Sequence, residues 1–264
     1  MHLLLLDIGN THTHLGLANA SRVPRQAHFP TLAWFDGGAE RHVRRFVGRA
    51  AISGAAICSV VPRATPLATR LLRQAWKVRP LRLTSATVRG VGIDYPKPET
   101  IGPDRLANAV AVRHRYGAPA VAVDFGTAVT FDIVDRRGNY CGGIIAPGIA
   151  VMTDYLHERT ALLPRIRIRE VNTIIGRNTE QAMQIAAVHG YRGLIRELLG
   201  ELRRELKSTR LPVVATGGYA RLMAAGLPEI TAVEPLLTLE GLRLVWLAQS
   251  ATGSEGARSG KTGK

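Results

Sequence analysis

Leu3-Leu-Leu-Leu-Asp7-Ile-Gly9-Asn10-Thr11-His-Thr13-His-Leu-Gly-Leu-Ala18 runs four leucines into a carboxylate, a glycine and a short polar turn, then resumes an apolar pattern. The leucine run predicts a buried strand. From Thr11 to Leu17 apolar and polar residues switch at each step, the period of a second strand folding back on the first. The same layout returns more than a hundred residues later, in Ala120-Val-Ala-Val-Asp124-Phe-Gly126-Thr127-Ala-Val-Thr130-Phe-Asp-Ile-Val134. There Asp135-Arg-Arg-Gly138 turns the chain into Tyr140-Cys-Gly-Gly-Ile-Ile-Ala-Pro-Gly148. Two strand–Asp-x-Gly–strand units in one chain predict a duplicated domain.

A carboxylate at the end of a buried strand is costly unless it has a partner or a task. The adjacent glycine lets a phosphate approach the backbone, and Asn10, Thr11 and the turn N–H groups can donate to phosphate oxygens. Asp7 can hold Mg²⁺ directly or through water. A plain hairpin turn, in which Asp and Asn cap their own backbone, is the structural alternative. Repetition at Asp124-Phe-Gly126-Thr127, with Thr216-Gly217-Gly218 closing a third strand, favours the phosphate reading. Two such hairpins and a glycine turn describe an α/β fold of duplicated actin/Hsp70/sugar-kinase-like (ribonuclease H-like) domains with mixed sheets. The expected lobes are 1–117 and 118–250, followed by a disordered basic tail over 251–264.

Between the hairpins, Arg41–Ala51, Pro66–Trp76 and Arg105–Tyr116 read as helices and Ala55–Val61 as a strand. Thr179–Leu206 is long enough for one or two helices, and Leu239–Ser250 reads as a closing helix. Gly256-Ala-Arg-Ser-Gly260-Lys261-Thr262 imitates a phosphate loop but has three residues between its glycines, not four, with no strand before it and no helix after it. Gly92-Ile-Asp94-Tyr95-Pro96-Lys-Pro98-Glu-Thr-Ile-Gly102-Pro103-Asp104-Arg105 is a loop leading into a helix. Asp104 is there either a helix cap or the base that takes a proton from an acceptor hydroxyl, with Arg105 neutralising phosphate or substrate charge.

The chain has 264 residues, with 35 Lys and Arg against 20 Asp and Glu, a formal charge of +15. That excess favours anionic ligands. The arginines are dispersed, without a helix–turn–helix, zinc-finger or RNA-binding pattern, so a nucleic-acid partner is the weaker reading. His12 and His14 alternate on a strand but do not by themselves make a metal site, and Trp34, Trp76 and Trp246 are packing residues. Cys58 and Cys141 are expected as buried thiols. The leucine run is too short for a signal core or membrane span, so a cytoplasmic protein is expected.

Eight ordered motifs make the chain resemble the type III pantothenate kinases over residues 3–249. They are Asp7–Thr11, Ser59-Val-Val-Pro62, Gly92–Tyr95, Gly102–Arg105, Asp124-Phe-Gly-Thr-Ala128, Gly142–Gly148, Gly176-Arg-Asn-Thr179 and Thr216–Gly218. The resemblance implies a kinase, ATP-dependent, that makes 4′-phosphopantothenate from pantothenate in coenzyme A biosynthesis. It implies ATP contacts from Asp7, Ile8, Gly9, Asn10, Thr11, His12, Thr13, His14 and Thr127. Asp124 would bind the monovalent cation, K⁺ or NH₄⁺, and Asp7 would lie near Mg²⁺. Asp104 would be the general base, and Tyr95, Gly102, Pro103, Asp104, Arg105 and Thr179 would line the pantothenate site. A homodimer is implied, with a neighbouring subunit completing that site. The competing expectation is a non-catalytic relative acting as a regulatory or nucleic-acid-associated factor, which would have no need to keep Asp7, Asp104 and Asp124 together. Two departures stand out. Pro103 replaces a small residue and stiffens its loop, and Ile185-Ala186 stands near a usual Ser-Gly pair in a helix expected at the dimer interface.

Overall fold

Leu3 to Leu6 are fully buried in β1 (His2–Ile8), which pairs antiparallel with β2 (His12–Ala18). Residues 2–258 are described by the computed structural model. β3 (Arg25–Pro30) adds antiparallel to β2, and a 3₁₀ turn (Thr31–Trp34) follows it. β3 was not foreseen, because Arg-Gln-Ala-His-Phe-Pro neither alternates cleanly nor is rich in β-branched residues. After α1 (Ala39–Val47), β4 (Ile52–Ser59) lies parallel to β1 on its other side. α2 (Ala64–Trp76) then leads to the short β5 (Leu81–Arg82), parallel to β4. The resulting order is β3-β2-β1-β4-β5. β6 (Gly92–Ile93) and α3 (Pro103–Tyr116) complete this stretch.

The second half repeats the scheme. β7 (Ala120–Phe125), β8 (Ala128–Val134) and β9 (Asn139–Pro147) form an antiparallel meander. α4 (Ile149–Arg159) and α5 (Thr179–Ile185) follow, then a π-helical turn (Ala186–Gly190) and α6 (Tyr191–Glu205). β10 (Val213–Thr216) adds parallel to β7, and after α7 (Ala220–Ala224), β11 (Ala232–Val233) adds parallel to β10. The order β9-β8-β7-β10-β11 matches β3-β2-β1-β4-β5 strand for strand and in every strand sense. The duplication predicted from two Asp-x-Gly hairpins is therefore present in the topology.

The chain divides into two units, one running to Arg115 and resuming at Leu236, the other spanning Tyr116–Pro235. The closing helix α8 (Leu237–Arg258) thus belongs to the first unit, not to the second as the expected lobe 118–250 had it. Packing explains the assignment. Leu239 lies against Gly16 on β2, Trp246 fills the space that a side chain at Gly54 on β4 would need, and Gly241 lets the α8 backbone touch Ala107 of α3. Thr238 also donates to the Asn108 side chain at 2.8 Å. α8 continues to Arg258, where disorder was expected from Ala251. Residues 259–264, with the Gly260–Thr262 end of the false phosphate loop, lie outside the described residues.

Each unit has its own core. Leu4, Leu6, Ile8, Leu15 and Leu17 pack with Phe29, Val43, Phe46 and Leu72 in the first. Val121, Val123, Phe131, Ile195, Leu199 and Val213 pack together in the second.

Candidate active site

The first Asp-x-Gly hairpin turns where β1 passes into β2. The Gly9 N–H donates to the His12 carbonyl at 3.0 Å, closing a turn that leaves Asn10, Thr11 and His12 exposed and Asp7 half-buried. Ile8 is wholly buried in the core, so it can meet a ligand only through its backbone. Thr13 is also wholly buried; its hydroxyl accepts the Trp34 indole N–H at 3.0 Å and pairs with the Thr31 hydroxyl at 3.0 Å. Its side chain is thus engaged behind the turn, so like Ile8 it can meet a ligand only through its backbone. His14 pairs in register with Asp7 on one side and His28 on the other. Although His14 keeps an exposed edge, desolvation, then the neighbouring His28 and His12 rings, lower its pKa from the ordinary value. Among the described residues no three His, Cys, Asp or Glu side chains gather as a metal set.

Asp104 sits in the first turn of α3, where its Oδ1 accepts the backbone N–H of Arg105 at 2.9 Å. The carboxylate lies over Gly102: a Cβ there would come within 2.5 Å of Oδ1. Gly102 in turn accepts the N–H groups of Arg105 and Leu106 at 3.1 and 3.2 Å, so the loop end is tied into the helix start. Pro103 occupies the first helical position, where its missing N–H costs nothing and its fixed φ suits the helix. Burial raises the Asp104 pKa above the usual aspartate value, opposed by the hydrogen bond from Arg105 and by its charge. A carboxylate so placed is a better base than a solvated one. Tyr95 is half-buried in the preceding loop.

In the second unit the three expected glycine turns converge. Gly126 closes its hairpin by donating to the Ala128 carbonyl at 3.1 Å, leaving Thr127 exposed. Gly217, at φ +89°, packs so closely that a Cβ would reach within 2.5 Å of Asp124 Oδ1 and 2.7 Å of the Phe125 backbone. Gly148 packs onto the Gly126 and Thr127 carbonyls, and its N–H donates to Thr127 at 3.0 Å. Asp124 is therefore a half-buried carboxylate against which the Gly217 backbone packs too closely for any side chain at 217. A hollow of about 660 Å³ nearby in sequence is lined by Ala150, Thr153, Asp154, Arg165, Ile166, Arg167, Ile168 and Tyr219. No sequence signal marked these residues, because they come from separate segments.

Thr179 is exposed at the start of α5, after an Asn178 cap whose side chain accepts the Gln181 N–H at 2.8 Å. The Gln181 side chain returns the bond to the Arg177 N–H at 2.9 Å. The Ile185-Ala186 departure falls where α5 passes into the π turn. That turn sets Gln184 and His189, five residues apart, on one side. Gln184 donates to the Arg169 carbonyl, the His189 ring meets the Val171 carbonyl at 3.2 Å, and Arg192 grips Glu170 with bonds of 2.9 and 2.6 Å. Three consecutive residues of the irregular segment before α5 are thereby latched to one helix.

The family model of the type III pantothenate kinases matches residues 3–201. A type III pantothenate kinase of Akkermansia muciniphila is 47% identical over 246 residues, covering 92% of this chain and 98% of that protein. That of Methylacidiphilum infernorum is 41% identical over 244 residues, covering 92% and 87%. Among solved structures, a protein described as a conserved Baf-family transcriptional activator from Campylobacter jejuni superposes with a TM-score of 0.58 at 18% identity, covering 94% of this chain and 99% of that one. The activator of 2-hydroxyisocaproyl-CoA dehydratase from Clostridium difficile superposes with a TM-score of 0.55 at 13% identity, covering 97% and 98%. At such identities these likenesses speak to the fold alone, which is the actin-like ATPase and sugar-kinase fold, and they lend no weight to an accessory-factor role. Over nearly its whole length, the chain belongs to the type III pantothenate kinase family.

Proposed function

We propose that this chain transfers the γ-phosphoryl group of ATP to the primary hydroxyl of pantothenate, giving 4′-phosphopantothenate, with Asp104 as the base. The observation that carries the assignment is the Asp104 carboxylate, desolvated, seated on Gly102 and next to Arg105 at the head of α3. Phosphoryl transfer passes through a loose transition state, so the protein's work is alignment and charge neutralisation. Asp104 accepts the hydroxyl proton as the new P–O bond forms, and Arg105 offsets negative charge beside it.

The Asp7–His14 hairpin cradles the phosphates from the first unit through its backbone donors, with His12 and His14 adding polar side chains. In the second unit, the exposed Thr127 at the matching turn is assigned to ATP as well. Asp7 has the hard oxygen donors that Mg²⁺ prefers, and Asp124, a half-buried carboxylate at the end of β7, suits a monovalent cation such as K⁺ or NH₄⁺. These ions would neutralise triphosphate charge. Tyr95 and Gly102–Arg105 of the first unit are assigned to pantothenate, and Thr179 of the second unit to the same substrate. Nine of the eleven large apolar side chains exposed among the described residues lie between Ile145 and Leu194, including Tyr155 and Leu156 on α4. Of these, Val151, Met152, Tyr155 and Leu156 share one exposed face of α4, which suits contact with a second copy of the chain. A cytoplasmic enzyme fits these substrates; no helix among the described residues is long and apolar enough to cross a membrane.

The decisive assay follows ADP release by purified protein with ATP, Mg²⁺ and pantothenate, in K⁺ or Na⁺. Turnover in K⁺ that collapses in Na⁺ is expected. Equal rates in both salts would remove the cation role of Asp124, and no rate in either would remove the kinase assignment.

A further inference from the structure

Behind the first hairpin runs a buried chain of hydrogen bonds whose direction can be worked out atom by atom. The Trp34 indole N–H is a donor only, and it reaches Thr13 Oγ1 at 3.0 Å. Thr13 Oγ1 lies 3.0 Å from Thr31 Oγ1, and Thr31 Oγ1 donates to the Gly9 carbonyl at 2.7 Å. A carbonyl only accepts, so the Thr31 proton is committed to Gly9. The bond between the hydroxyls must then run from Thr13 to Thr31. The order is Trp34 to Thr13 to Thr31 to Gly9, with each hydroxyl donating once and accepting once. Trp34 is 6%, Thr13 0% and Thr31 2% exposed, so water does not compete for these bonds. The Thr31 backbone N–H also donates to the Thr11 carbonyl at 2.9 Å.

Thr31 thus holds two peptide units of the turn by their carbonyls. A trans peptide is planar, and its N–H points opposite to its C=O. With the Gly9 and Thr11 carbonyls drawn back to Thr31, the N–H groups of Asn10 and His12 are turned the other way. Those are the donors that an anion at the turn would meet.

We propose that Thr31, Thr13 and Trp34 are positioning residues for nucleotide: the relay fixes the orientation of the hairpin donors and does not itself touch the phosphates. The proposal rests on the reading that the Asp7–His14 hairpin holds the ATP phosphates. Thr31→Val keeps the shape and deletes the hydroxyl, leaving the Gly9 carbonyl and the Thr13 hydroxyl without their buried partner. Thr31→Ser restores the hydroxyl, and Trp34→Phe removes only the first donor.

The test measures ADP and ATP affinity by calorimetry, steady-state constants for both substrates, and Tm, in the full chain. We expect Thr31→Val to weaken nucleotide binding and raise the KM for ATP about tenfold, the scale of one lost buried hydrogen bond, with the pantothenate KM unchanged. Thr31→Ser is expected within about threefold of the parent, and Trp34→Phe between the two. A folded Thr31→Val with parental nucleotide affinity overturns the relay, as does a Thr31→Ser variant as impaired as the valine. If Thr31→Val does not fold, Thr31→Ser and Trp34→Phe decide: a Trp34→Phe that loses no affinity for ADP rejects the proposal. Gly9→Val serves as a control on the underlying reading. If it abolishes ADP binding while Thr31→Val does not, the hairpin role stands and the relay falls. If Gly9→Val binds ADP normally, both fall.

Discussion

Asp104 combines two demands that work against each other. Its carboxylate is desolvated, which makes it a stronger base and also a destabilising charge. A raised folded-state pKa contributes stability below the unfolded value of 3.8 and loses it as pH climbs through the folded value. At neutral pH the ionised group therefore costs stability. Asp104→Asn should abolish most turnover, leave ATP affinity intact and raise Tm at neutral pH. That Tm advantage should shrink as the pH falls through the Asp104 pKa. Thermal melts at several pH values check this, and an asparagine variant less stable than the parent at pH 7 would contradict it. Gly102→Ala tests the same carboxylate from beneath. The clash involves only the end of a rotatable side chain, so turnover should fall at least about tenfold while Tm changes little.

At the scale of elements, the π turn between α5 and α6 sets a helical phase. Over the eight steps from Gln184 to Arg192 an unbroken α-helix would leave Arg192 about 80° round from Gln184, and the wider π turn takes up that difference. Arg192→Leu takes the guanidinium from Glu170, and limited proteolysis should then cut within 160–178, where the parent is expected to resist. The sequence carried the two hairpins, α2, α3 and β10 plainly, because each has a clean period or a glycine stop. It did not carry β3, β5 or α4. β5 is two residues long, and α4 is poorly amphipathic because its apolar face is exposed. The π turn was equally hidden, since local bonding choice and not periodicity creates it. Among site residues, Asp7, Asp104 and Asp124 were legible as carboxylates at strand or helix ends. The hydroxyl relay was not, because Thr31 and Trp34 sit beyond a strand that the pattern did not reveal. For the same reason the partners of the Thr13 side chain were hidden: alternation says that it faces opposite to His12 and His14, but not what stands behind it.

At the scale of the molecule, the exposed apolar face of α4 predicts self-association. Tyr155→Glu should convert a dimer to a monomer by light scattering, with the circular dichroism spectrum retained and turnover lost. A monomeric parent would remove the idea. α8 has a different kind of consequence. The first unit has most of its strands early in the chain, yet its last helix is the C-terminal one, which shields Gly16, Gly54 and Ala107. On the ribosome, Tyr116–Pro235 is complete and able to fold while the first unit still waits for α8. The half made first finishes last. During that interval the uncovered face of β1 is a target for chaperones, and a stop codon before Leu237 would leave that need permanent.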